Sequence, residues 1–143
     1  MNFRRKLNKT LSTSCGTFTS TSTSYTDVTN LSATITTKGN PVIIMLVNSA
    51  TANGGNLGTS TTVNVSPAGY FTLLRDVSTL AIWKIIGSMA SDGGTRTHYV
   101  PAGCINHYDP VAAGTYVYKV QAKANTDDNV HLNDMQLLVY ELN

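Results

Sequence analysis

The stretch "GTYVYKVQAKA", residues 114–124, decides how the rest of the chain is read. Tyr116, Tyr118, Val120 and Ala122 alternate with Val117, Lys119, Gln121 and Lys123. Successive side chains of a strand point to opposite faces, so a period of two marks a β-strand with one face on a core. An apolar pattern at i, i+3, i+4 and i+7 persists for three turns nowhere in the sequence, and no amphipathic helix is expected.

Outward from this strand the same signal recurs. On its C-terminal side "NTDDN" (125–129) is a polar turn, and "VHLNDMQLLVYELN" (130–143) closes the chain as a strand that is apolar at both parities from Met135 to Leu142. On its N-terminal side "LSATITT" (31–37) sets Leu31, Ala33 and Ile35 against Ser32, Thr34 and Thr36, and "KGN" turns into "PVIIMLV" (41–47), an unbroken apolar run with a proline at its start, where a strand tolerates one. "TTVNVSP" (61–67), "GYFTLLRD" (69–76) and "STLAIWKIIG" (78–87) are strand-like. "NSATANGGNLGTS" (48–60) is expected as an exposed loop, and "SMASDGGTRTHYVPAG" (88–103) as a long loop with a short central segment, leading into "CINHYDP" (104–110). About eight to ten strands with no repeat and no second domain imply an all-β antiparallel sandwich or barrel.

The composition agrees with that class. Of 143 residues, 33 are Ser or Thr, and 17 of them crowd into residues 10–37, where their β-branching and hydroxyls suit a pleated, half-exposed surface. Charged residues are 13% of the chain, well under the ~25% of a typical domain. The longest apolar run is far short of the ~20 residues that span a bilayer, so no membrane association is expected. Behind the basic start stands "TLSTSCGTFTSTSTS" rather than the apolar core of a secretory signal, and no signal peptide is expected there.

Strands that are apolar on both faces need a cover on each. In a two-sheet sandwich the outer faces are ordinarily polar, so the outer sides of residues 42–47 and 135–142 are expected to meet another subunit. That assigns Ile43, Met45, Val47, Leu138, Tyr140 and Leu142 to an oligomer interface.

The succession "SYTDVTNLSATITTKGNPVIIMLV", "FTLLRD", "HYDPVAAGTYVYKVQAK" and "LLVYEL" resembles the small jelly-roll domains that end many bacteriophage fibre proteins, which are similar in outline to the trimeric jelly rolls of the tumour necrosis factor and complement globular-head type. The resemblance covers roughly Tyr25 to Leu142. It implies a two-sheet jelly-roll sandwich, a virion protein and a homotrimer; a scaffold by itself carries no activity.

No site of chemistry stands out. His98, His107 and His131 are not at ligand spacing with one another or with Cys15 and Cys104, so no metal is expected. Asp109 could orient His107 as a base is oriented, but no nucleophile accompanies it in a recognised setting. Gly54, Gly55 and Gly58 lack the Lys-Ser/Thr pair and the helix of a phosphate loop and read as loop glycines. The single Glu leaves no visible carboxylate pair for glycoside chemistry. Neither an enzyme, a cofactor nor a small-molecule substrate is expected. The two cysteines read as buried free thiols, with a single disulfide as the alternative.

The opening "MNFRRKLNK" carries four of the ten Lys and Arg and no acid, whereas residues 10–143 hold six basic and eight acidic side chains. The whole net charge of +2 therefore comes from this segment. Four charges beside a domain of opposite sign, with no base-reading element, argue against nucleic acid. Residues 1–14 are expected to form an arm, with 15–143 as the jelly roll. Phe3, Arg4, Arg5, Lys6, Leu7 and Lys9 are expected to anchor it to a major capsid protein or another virion protein. The expected function is capsid decoration or cementing in a virion assembled in the host cytoplasm. The alternative is the tip of a tail fibre, with residues 50–60 and 88–99 meeting a cell-surface glycan.

Overall fold

The computed structural model describes residues 7–50, 54–62, 66–88 and 94–142. Their strands are β1 (Lys9–Leu11), β2 (Thr17–Ser20), β3 (Thr26–Lys38), β4 (Val42–Asn48), β5 (Asn56–Thr61), β6 (Ala68–Arg75), β7 (Ser78–Ile86), β8 (Arg96–Pro101), β9 (Asn106–Asp109), β10 (Ala113–Ala124), β11 (Asp128–Asn133) and β12 (Met135–Glu141). One 3-10 turn, Ala102–Cys104, separates β8 from β9. No α-helix occurs among the described residues.

Hydrogen bonding groups them as β3-β10-β6-β7, β1-β12-β4-β9 and β2-β11-β5-β8, all antiparallel. In the last two groups each strand is the chain continuation of its counterpart, in the same spatial order. They are two halves of one long sheet whose four rows are all interrupted at one level. Backbone bonds bridge the step: Asp134 N–H donates to Gly16 C=O, Ser49 N–H to Asp134 C=O and Leu46 N–H to Ile105 C=O. Asp134 takes φ 50° and Gly16 φ 59°, left-handed values that turn the rows aside there. Twelve strands thus form eight rows in two four-row sheets, a jelly-roll sandwich. The interruptions explain why the number of strands exceeds the eight to ten expected.

The strand at 114–124 lies where its period predicted, in the middle of the β3-β10-β6-β7 sheet. Tyr118, Val120, Ala122 and Ala124 face inward with Phe71, Leu73, Leu31, Ala33 and Ile35. From the long sheet they meet Val42, Ile44, Leu46, Leu57, Val130, Leu132, Met135, Leu137 and Val139. Both segments expected as loops contain strands. Residues 56–61 form β5 and residues 96–101 form β8, paired to each other from Asn56↔Pro101 to Thr61↔Arg96. Alternating Thr and Ser with single glycines hides a strand from a turn-based reading, because the ladder partners, not the side chains, hold it. Gly58 is accordingly a strand glycine and not a loop one: a Cβ there would collide with the His98 carbonyl and the Tyr99 ring.

The segment expected to stand apart as an arm enters the sheet at Lys9. β1 pairs with β12 over Lys9↔Tyr140 to Leu11↔Leu138. Beyond it Ser12 N–H donates to Leu137 C=O (2.9 Å), while Leu137 N–H donates to Ser12 Oγ (2.8 Å). Cys15 is buried in the core and Cys104 is exposed, both as free thiols, so the expectation of burial holds for the first alone.

Candidate assembly interface

The outer face of the β1-β12-β4-β9 half-sheet follows from its registers. Tyr140 lies between Lys9 and Ile43, and Leu138 lies between Leu11 and Met45. Tyr108 flanks Ile43 and Asn106 flanks Met45. Since directly opposed residues share a face, Leu11, Ile43, Met45, Val47, Leu138, Tyr140 and Tyr108 form one apolar surface, with Lys9, Gln136 and Asn106 on it as polar members. Leu11 is 51% and Tyr108 53% exposed; the others are half-buried by their neighbours alone. The opposite parity of β4 and β12 is fully buried in the core.

Five of the six residues expected at an oligomer interface therefore share one face. Leu142, just past β12, is exposed at its end, with its N–H donating to Pro41 C=O (2.8 Å). Leu11 and Tyr108 were not among the residues expected on this face. Both sit in short edge strands, and only the pairing partners reveal that they extend the apolar face.

Of the residues expected to anchor the chain, Leu7 and Lys9 are exposed at the N-terminal end of this sheet. Phe3, Arg4, Arg5 and Lys6 lie outside the described residues. Leu7, Asn8, Lys9, Thr36 and Lys38 line an open groove of about 490 Å³. Beneath it the Glu141 carboxylate accepts from Asn8 Nδ2 (2.8 Å), Lys38 N–H (2.7 Å), Asn40 N–H (3.2 Å) and Asn40 Nδ2 (3.2 Å). The Asn8 bond first, and then the backbone donors, hold its pKa below the usual carboxylate range. The only Glu of the chain is thus a clasp tying the start of β1 to the β3–β4 turn.

The remaining polar clusters are structural in their geometry. Asp109 does not orient His107: it faces the interior, accepts two bonds from Arg75 Nη1 (2.8 and 2.9 Å) and a third from Tyr118 Oη (2.8 Å). Burial, then this bond to a carboxylate, raises the Tyr118 pKa. His131 Nε2 lies 2.7 Å from Ser60 Oγ and its Nδ1 lies 3.3 Å from Thr19 Oγ1. Burial lowers its pKa, but a hydroxyl stands where a catalytic pair would have a carboxylate. Among the described residues no three His, Cys, Asp or Glu are gathered as metal ligands.

No family model and no curated protein sequence matches the chain. Among solved structures, Eiger TNF from S. frugiperda superposes with a TM-score of 0.52 at 9% identity, over 97% of this chain and 94% of that one. At that identity the likeness speaks for the fold: an all-β jelly roll of the tumour necrosis factor type.

Proposed function

We propose that this chain is a bacteriophage structural protein that assembles with copies of itself and decorates the virion shell without catalysing a reaction. The observation that carries the reading is the apolar outer face of the β1-β12-β4-β9 half-sheet. Covering half-exposed Leu, Ile, Met and Val side chains contributes roughly 1 kcal/mol each, enough over such a face to hold subunits together. Two further copies presenting the same face around a threefold axis are the occupants, and a trimer is the expected state.

The basic segment ahead of β1, with Arg4, Arg5 and Lys6, is the anchor to an acidic surface of the shell. Several copies of a weak anchor on one assembly raise the effective concentration for the second and third contacts, so attachment is tight although each contact is modest. Of the segments on which the fibre-tip alternative rests, residues 56–60 and 96–99 are paired strand.

Light scattering on the purified protein tests the interface. The wild type is expected as an oligomer, and Met45→Glu with Leu138→Glu as a folded monomer; a monomeric wild type overturns the reading. Gold-labelled antibody on purified particles tests the location. Label over the heads supports decoration, and label absent from particles refutes a virion role.

A further inference from the structure

On the other sheet, facing away from the apolar interface, a row of four side chains crosses all the strands. Tyr25 precedes β3, Lys123 is on β10, Tyr70 on β6 and Lys84 on β7; Lys123 pairs with Tyr70 and Tyr70 with Lys84. Lys123 Nζ sits 4.9 Å from the Tyr25 ring centre and 4.8 Å from that of Tyr70. Lys84 Nζ sits 5.2 Å from Tyr70 on the same ring. Aromatic and cationic groups therefore alternate over about 14 Å, three strand spacings.

Among the described residues, the acids nearby form no ion pair with these two ammonium groups. Asp27, one step down the sheet, accepts from Gln121 Nε2 (2.6 Å) and Lys119 Nζ (3.0 Å). No described carboxylate forms an ion pair with Lys84 or Lys123. Two positive charges are held in place by tyrosine rings on a paired sheet, without acidic partners among the described residues, and the tyrosine hydroxyls lie beside them.

We propose that the Tyr25-Lys123-Tyr70-Lys84 row is a binding site for an acidic polysaccharide. The lysines stand two strands apart, about 10 Å. A polymer with a carboxylate on every second sugar presents charge at a comparable interval, whereas a DNA strand carries one phosphate per ~3.4 Å. The tyrosine rings hold the ammonium groups in place by cation–π contact, and the Tyr hydroxyls bond to sugar hydroxyls between the charges. The row lies on the sheet opposite the apolar face, so it stays outward whether or not copies pair there, and the two proposals fail separately.

Hyaluronan, in which every second sugar is a uronate, is the probe, immobilised on a biosensor beside neutral dextran and single-stranded DNA. Wild-type protein is expected to bind hyaluronan in preference to both. Lys84→Gln with Lys123→Gln is expected to weaken this binding at least tenfold, Tyr70→Ser to do the same, and Tyr70→Phe to retain most of it, because the ring face remains. Thermal melting of each variant confirms an intact fold, and a variant that fails to fold is replaced by Lys84→Gln alone, whose side chain is exposed and outside the core. Absence of hyaluronan binding, preference for DNA, or indifference to loss of the lysines overturns the proposal.

Discussion

At the scale of single residues, two buried or clasped acids set the stability. Tyr118 is wholly buried, and its hydroxyl supplies one of three bonds to Asp109. Tyr118→Phe keeps the ring and leaves that oxygen short of a donor, so a loss of about 1.5–3 kcal/mol is expected by urea denaturation. Glu141 adds a pH dependence. Its folded pKa is depressed, so its stabilisation is complete above the unfolded value near ~4.3 and is lost as pH falls through the folded value. Glu141→Gln is therefore expected to melt below the wild type at neutral pH, with the gap narrowing as pH falls from about 5 through the depressed folded value. A gap constant across that range would show that the four donors do not favour the charged form.

At the scale of elements, β5 depends on its bare position. Gly58→Ala pushes a Cβ into the His98 carbonyl and the Tyr99 ring, so β5 and β8 must separate there. The expected cost is about 1–3 kcal/mol, read from the melting temperature, with amide exchange quickening in β5 and β8 first. How legible each element was follows from what holds it. β3, β4, β10 and β12 bury one parity of large apolar side chains, and alternation announces them. β5 and β8 do not announce themselves, because Thr, Ser and Gly fill β5 and four of the six β8 residues are exposed, so turn-like composition masked both. The apolar outer face proposed as an interface was legible along β4 and β12 for the same reason. Its edges at Leu11 and Tyr108 and the lysine–tyrosine row were not, since they exist only through cross-strand register.

At the scale of the whole molecule, the N-terminal segment divides at Lys9. Deleting residues 1–6 is expected to leave the oligomer and the melting temperature as they are and to abolish attachment to particles, measured by co-sedimentation. Deleting residues 1–11 also strips β1 from β12 and Asn8 from Glu141, and melting is expected to fall by the equivalent of about 1 kcal/mol per hydrogen bond lost. Oligomer loss on the shorter deletion would place subunit contacts in the segment itself. The row formed by β11 and β12 has a further consequence. It lies inside the long sheet, between β1 with β2 and β4 with β5, although it follows every other described strand along the chain. On the ribosome the first strands must therefore wait, unpaired, until residue 141 has emerged. The hydroxyl-rich, weakly hydrophobic sequence of residues 10–24 suits that wait, because a nascent edge of this kind holds water rather than a neighbouring chain.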